Sequence, residues 1–474
     1  MSLSPILLWF RRDLRLDDHP ALSEAAAAGR PVIPVFIHDE TVEALGAAPK
    51  WRLGLGLEAF AAALEGAGAR LILRRGRAAD VIDALIRETG AGAVWWTRYY
   101  EPSHIARDRA IKADLGARGI EARSFPGALL FEPKDVMTGA GTPYSVFTPF
   151  WRAVRARDPG RALGAPARLA VPEKWPRSET LGDWTMEAGM RRGAAVVLPH
   201  LEVGEARALA RLDRFFADAV GAYAEGRDFP TRAVTSGLSE NLAWGEISPR
   251  RIWHRAVLES EAGRERGAEK FLSELGWREF AWHLMTHQPR LAEANWRAEW
   301  DGFPWRGDNE DAEAWRRAVT GEPFVDAGLR EMYVTGRMHN RVRMVVASYL
   351  TKHLLTDWRV GLKWFADCLV DWDPAANALG WQWVAGSGPD AAPYFRVFNP
   401  QTQAEKFDQD GRYRRRFIAE GQRAPGRDAL DWFEAIPVSW RQRPDQPYPG
   451  RRVELAAGRE TALRAYEGFR DVHK

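Results

Sequence analysis

The sequence predicts an α/β domain joined by a long linker to an all-helical domain. Three observations carry that prediction. Short β-rich apolar runs alternate with alanine-rich helical stretches over residues 1–132, proline, glycine and charge break the pattern over 133–205, and helical periodicity prevails over 206–474. A single core stops growing near ~250–300 residues. With 474 residues this chain is expected to hold more than one domain.

Taken in order, PILLWF (5–10), PVIPVFI (31–37), RLILRRG (70–76) and AVWWTRY (93–99) are continuous apolar runs. Strands of a doubly wound parallel sheet, covered on both faces, read this way. LGLGLEAFAAALEGAG (53–68) and AADVIDALIRETG (78–90) supply the intervening amphipathic helices. No G-x-G-x-x-G or Walker pattern follows the first strand, so a nucleotide site there has no motif behind it. WFRRDLRLDDHPAL (9–22) reads either as a strand end with a solvated charged turn or as a functional segment. The stretches GAGTPYSVFTPFWRAV and GAPARLAVPEKWPRSETLGDW predict a linker with short helices over 133–205. Beyond it, EARALARLDRFFADAVGAYAEG, KFLSELGWREFAWHLMTH and HNRVRMVVASYLTKHLL carry the 3.6-residue period.

Composition narrows the function. The single cysteine, Cys368, excludes an intrachain disulfide framework, and neither a signal peptide nor a run of ~18 apolar residues is present. A soluble cytoplasmic protein without membrane contact is expected. The 67 basic and 64 acidic side chains leave a formal charge of +3, so any affinity for nucleic acid must come from a local patch. Of 22 tryptophans, fifteen follow residue 240. Packing is the ordinary role of such a side chain, and only position can argue otherwise.

Several segments bear chemistry. In TSGLS (235–239) hydroxyls followed by small residues can approach a phosphate, although a helix N-cap by Ser239 reads equally well. Asp371, Asp373 and Asn377 in DWDPAANALGWQW (371–383) fall within two helical turns, close enough to address one ring system. Glu274 and Trp277 are spaced i, i+3, and Asn340 and Met344 i, i+4, so each pair shares a helix face.

These segments, with RDFPTRAVTSGLSENLAWGEISP (227–249), FLSELGWREF (271–280), TGRMHNRVRM (335–344) and PYFRVFNPQTQAEKFDQDGRYRRRF (393–417), run in one order along nearly the whole chain. In that order the chain resembles the photolyase/cryptochrome family of light-driven flavoproteins, most closely its class I-type cyclobutane pyrimidine dimer (CPD) photolyases. The resemblance implies FAD, active as FADH⁻, that donates an electron to a flipped-out dimer in UV-damaged DNA, with the electron returning after the ring opens. It implies an antenna-binding domain over 1–132, a linker over 133–205 and a FAD- and DNA-binding domain over 206–474. A monomer is expected, associated with the bacterial nucleoid when bound to DNA.

Residue by residue, the resemblance implies FAD contacts from Tyr223, Thr235, Ser236, Gly237, Leu238, Ser239, Glu274, Arg278, Asn340, Arg343, Asp371, Asp373 and Asn377. Arg343 and Asp371 would form an ion pair over the isoalloxazine, Asp373 would accept from the flavin ring N–H, and Asn377 would face N5, where an amide can donate or accept. Glu274, Asn340, Met344 and Asn377 are the expected catalytic set. Trp277 and Trp383 would stack on the lesion, and Arg227, Arg341 and Arg396 would hold its strand. Trp305, Trp358 and Trp381 resemble an electron-hopping triad. TRYYEPSHIARD (97–108), Glu101 above all, falls where an antenna, methenyltetrahydrofolate or 8-hydroxy-5-deazaflavin, would bind. Two residues depart from the pattern: Gly237 stands where the family often has arginine, and Arg337 where it commonly has tryptophan. The basic run RYRRRF (412–417) reads as an extension of the DNA patch or as a solvated stretch.

Asparagine and methionine at 340 and 344 argue for CPD repair, because (6-4) photolyases typically carry histidine at both. A signalling cryptochrome would share the flavin and the triad. A nucleotide-hydrolysing or electron-transferring α/β protein would need its chemistry within the first 132 residues, where no phosphate loop is found.

Overall fold

The computed structural model describes residues 3–391 and 393–472. β1 (Ile6–Phe10), β2 (Val32–His38), β3 (Ile72–Arg75), β4 (Ala93–Thr97) and β5 (Glu121–Phe125) form one parallel sheet in the order β3-β2-β1-β4-β5. In β1, β2 and β4 every residue is buried, which is why they read as unbroken apolar runs. β5 has no such run. As an edge strand, EARSF leaves alternate side chains in water, and its sequence carries no strand signal.

The helix predicted over 53–68 spans Ala47–Gly66. Its first turns include Arg52, a charge that looks like surface but is wholly buried against Glu246 of the helical domain. The helix predicted over 78–90 spans Ala78–Thr89 and ends at Gly90, whose φ is 65°.

The solvated-turn reading of residues 9–22 is corrected by burial. Arg11, Asp13, Arg15, Asp18 and His19 are all buried. Arg15 donates to the carbonyls of Asp18, Gly127 and Gly245, and Asp18 pairs with Arg250 and accepts from Ser248. Asp17 pairs with Arg251 at 2.6 Å, while the N–H groups of Leu16 and Asp17 reach Glu205. The segment is therefore a polar seam between the sheet domain and the helices.

The segment 133–205 contributes a helix, Phe147–Arg155, whose Phe147, Phe150 and Val154 enter the helical core. That core surrounds the long Glu265–His287 helix, flanked by Val220–Gly226, Pro249–Glu259 and Pro374–Ala385. A second core gathers around Pro323–Thr335, Asn340–Ser348 and Trp358–Cys368. Among the described residues no helix is long and apolar enough to cross a membrane.

Candidate active site

Between these two cores lies a cavity of about 780 Å³, inside the ~300–1,000 Å³ range of small-molecule sites. Its wall begins on consecutive helical turns. Arg211, Phe215, Ala219, Tyr223 and Arg227 all line it at a strict spacing of four. At 3.6 residues per turn such a ladder drifts about 40° per step. The π-helical turn Phe215–Ala219 takes up one residue and offsets much of that drift, keeping the ladder on the cavity side.

The opposite wall comes from Thr235 to Ser239, followed by Glu331, Arg337, His339, Asn340, Arg343 and Asp371. Gly237 has a φ of 66°, and the Ser236 hydroxyl accepts from the Leu238 N–H at 3.4 Å. Ser239 is the first residue of its helix rather than the cap, so the capping reading of its side chain is corrected. Arg343 Nη2 bridges both oxygens of Asp371 at 2.8 and 3.0 Å, and its Nε donates to the Met338 carbonyl. Asn340 opens the Asn340–Ser348 helix and is exposed at the cavity's edge. Burial pushes His339 down to about 4 and raises Glu331. The His339 ring caps the helix through Nδ1, and its Nε2 is buried beside the Arg227 backbone.

Seven arginines (Arg211, Arg214, Arg227, Arg232, Arg337, Arg343 and Arg416) line the cavity against Glu202, Asp218, Glu274, Glu331 and Asp371. The lining favours an anion. Glu274 is already held by Arg227 and by Lys270 at 2.9 Å.

Other expected site residues lie apart from this wall. Asp373 caps the Pro374–Ala385 helix, accepting from the Ala376 N–H at 2.9 Å and from Trp282 Nε1 at 3.0 Å. The aspartates therefore do not share helical turns with Asn377: Asp371 precedes the helix and Asp373 is its cap. Asn377 is buried and donates to the Asp373 carbonyl. Arg278 reaches the Ala128 carbonyl and lies 3.8 Å from Asp373. Trp277 is stacked on Phe147 at 3.7 Å, so one face is covered by the Phe147–Arg155 helix. Arg341 pairs with Asp228 at 2.7 Å beside Met344, Trp383 is half-buried, and Arg396 is exposed. In the 412–417 run, Arg412, Arg414 and Arg416 are paired with Asp410, Asp408 and Asp428, while Arg412, Arg415 and Arg416 remain exposed.

The three tryptophans follow one another through the helical domain. Trp381 packs its ring on Gly361, one turn beyond Trp358 in the Trp358–Cys368 helix. Arg306, next to Trp305, bridges Thr356, two residues before Trp358. Trp381 and Trp358 are buried, and Trp305 is half-buried.

A second cavity, of about 310 Å³, opens at the carboxyl ends of β1, β2 and β4. Arg11, Arg12, Asp39, Glu101, His104 and Trp372 line it. Ligands of open α/β sheets bind where strand order reverses, here between β1 and β4. Burial raises Glu101 and holds His104 well down; among the described residues Glu101 Oε1 and His104 Nδ1 find no hydrogen-bond partner.

Sequence reasoning missed Arg211, whose Nη1 donates to the Gly237 carbonyl at 2.6 Å and to Glu240 and Asn241 at 2.9 Å. Its signal was there: a charge on the same face as Ala208, Leu212 and Phe215, which are all buried.

Comparison with known proteins agrees with this arrangement. The DNA photolyase profile matches residues 6–170, and the profile of the FAD binding domain of DNA photolyase matches residues 271–468. A deoxyribodipyrimidine photo-lyase of Agrobacterium fabrum is 46% identical over 470 residues, 98% of each chain. A bacterial class III photolyase from Agrobacterium tumefaciens superposes with a TM-score of 0.92 at 45% identity, covering 99% of this chain and 98% of that one. An archaeal photolyase from Sulfolobus tokodaii, solved with two FAD molecules, superposes with a TM-score of 0.80 at 28% identity over 98% of this chain and 100% of that one. With two profiles spread over both halves and an identity of 46% along nearly its full length, the chain belongs to the DNA photolyase family, and its C-terminal half is that family's FAD-binding domain.

Proposed function

We propose that this protein is a deoxyribodipyrimidine photo-lyase that opens cyclobutane pyrimidine dimers in DNA under light, with FAD held in the 780 Å³ cavity. The observation that carries the reading is the convergence on one cavity of Thr235 to Ser239, the Arg343–Asp371 pair and Asn340. The arginine-rich lining fits a bound dinucleotide with an anionic pyrophosphate. FAD supplies, when bound and reduced, the light-excited electron donor.

The chain's own residues bind, orient and shield. Arg343, fixed by Asp371 and the Met338 carbonyl, would lie over the ring system, and Asp373 and Asn377, at the start of the Pro374–Ala385 helix, would add polar contacts to it. Glu274 would turn from Arg227 and Lys270 to the lesion, freeing Arg227 for phosphate. Asn340 and Met344 give the lesion a polar and an apolar contact on one helix face, while Trp277 and Trp383 supply flat surface worth about 1–3 kcal/mol per stacked base. Arg341 and Arg396 would position the strand without reading sequence. Trp381, Trp358 and Trp305 would carry electrons inward from the surface.

In the division of labour we assign, residues 1–132 bind an antenna, 133–205 link, and 206–474 carry FAD and DNA. The antenna, a folate or a deazaflavin, would occupy the 310 Å³ cavity, whose Trp372 lies between Asp371 and Asp373. The 45% identical Agrobacterium tumefaciens protein is a class III photolyase, and we assign this chain to that class rather than to the class I type its motifs resemble. The site of action would be chromosomal DNA in the cytoplasm, and the working form a monomer.

The test illuminates the reduced, flavin-loaded protein with a thymine-dimer oligonucleotide and follows the thymine absorbance band. Recovery is expected in the native chain, and none in Asn340→His/Met344→His, which should still retain FAD. A native protein whose flavin photoreduces normally but which restores no absorbance would be a receptor instead.

A further inference from the structure

Gly237 and Arg337, the two departures from the family pattern, both border the large cavity, and Arg337 has no task in the reading above. They meet in space. Arg337 Nη1 lies 3.4 Å from the Gly237 carbonyl and Nη2 3.1 Å from that of His200. A Cβ on Gly237 would stand in van der Waals contact, 3.4 Å from Arg337 Nη1 and 3.5 Å from Arg211 Cδ, so a longer side chain at 237 would need the place of the two arginines. The wholly buried Glu240 carboxylate binds Arg211 at 2.9 Å and lies 3.9 Å from Arg337, and among the described residues its Oε2 finds no hydrogen-bond partner. Glu202, the other acid of the group, is shared between Arg211 and Arg214. Three guanidiniums against two carboxylates leave positive charge beside the hydroxyls of Thr235, Ser236 and Ser239.

We propose that Arg337 is the phosphate-facing cation of segment 235–239, supplied from the turn before the Asn340–Ser348 helix, and that Gly237 keeps open the space its guanidinium occupies. The inference rests on the reading of this cavity as the FAD site. A guanidinium presents a planar fork of donors suited to phosphate oxygens, and its two carbonyl contacts hold it in place.

The test strips the full-length chain of flavin and titrates it with FAD and with riboflavin, which has no phosphate. Arg337→Gln should weaken FAD binding about tenfold or more, leave riboflavin within about twofold, and flatten the salt dependence of FAD binding. Arg337→Lys, which keeps the charge but not the fork, should lose about threefold. Gly237→Leu, whose side chain would take the guanidinium's place, should also weaken FAD selectively, and adding it to Arg337→Gln should cost less than the two single losses combined, because residues in contact do not act additively. FAD affinity unchanged in Arg337→Gln, or FAD and riboflavin lost equally in both Arg337 variants, would overturn the proposal. A native chain that binds neither flavin overturns the cavity assignment itself, and this inference with it.

Discussion

Charged residues inside this protein are held by specific partners, and Asp13 shows how far that reaches. Its carboxyl is buried, which alone would raise its pKa, but the hydrogen bond and charge of His19 and the Arg11 N–H outweigh burial and hold it down to about 2. The folded carboxyl thus lies below its ordinary 3.8, so it stabilises the fold above that pH, and the contribution is lost as pH falls toward 2. At 1.36 kcal/mol for each pH unit of displacement, the contribution is about 2 kcal/mol. Asp13→Asn should be less stable at pH 7 and lose less on going from pH 4 to 2, measured by urea unfolding at each pH. Equal acid sensitivity in both proteins would show that other carboxylates govern the transition. At this scale the Arg343–Asp371 pair, 28 positions apart, was legible only through the family resemblance, and the site is illegible where a residue's use depends on its neighbour, as when Glu274 is found already held by Arg227.

Elements decide which side chains face one another. The π turn at Phe215–Ala219 keeps the Arg211-to-Arg227 ladder on the cavity, a feature with no mark in the hydrophobic pattern. The Trp358–Cys368 and Pro374–Ala385 helices approach so closely at Gly361 that a Cβ there would overlap the Trp381 ring. Gly361→Val should therefore displace Trp381, cost about 1–3 kcal/mol through overpacking, and slow flavin photoreduction under blue light. Repair with flavin supplied already reduced should persist. Photoreduction at the native rate, in a variant that is measurably destabilised, would remove Trp381 from the electron path. Strand prediction met the same limit: β1 and β2 announce themselves by burial on both faces, whereas β5 gains its identity only by pairing with β4.

At the scale of the whole molecule, the sheet domain and the helices are locked by the polar seam of residues 11–19 and by Arg52–Glu246, an ion pair with both side chains wholly buried. Removing one partner of a buried pair strands the other charge. Arg52→Ala should destabilise by about 3–5 kcal/mol in denaturant unfolding, and Arg52→Met/Glu246→Leu should recover much of that loss. A single variant within 1 kcal/mol of the native chain would mean that water or rearrangement solvates Glu246. The same docking sets the 310 Å³ cavity against Trp372 and so brings the sheet domain up to the helical site.

By itself the sequence determined the two-part fold, because apolar period and strand composition are properties of neighbouring residues, and it determined the family through motifs that are each contiguous. Only the tertiary structure decided which of those motifs share a cavity. It gathered Thr235 to Ser239 with Arg343 and Asp371, turned Asp373 to a helix cap, and set Arg337 against Gly237. Contacts between residues 100 positions apart come from how helices dock and which buried charges find partners, and no local pattern in the chain encodes that outcome.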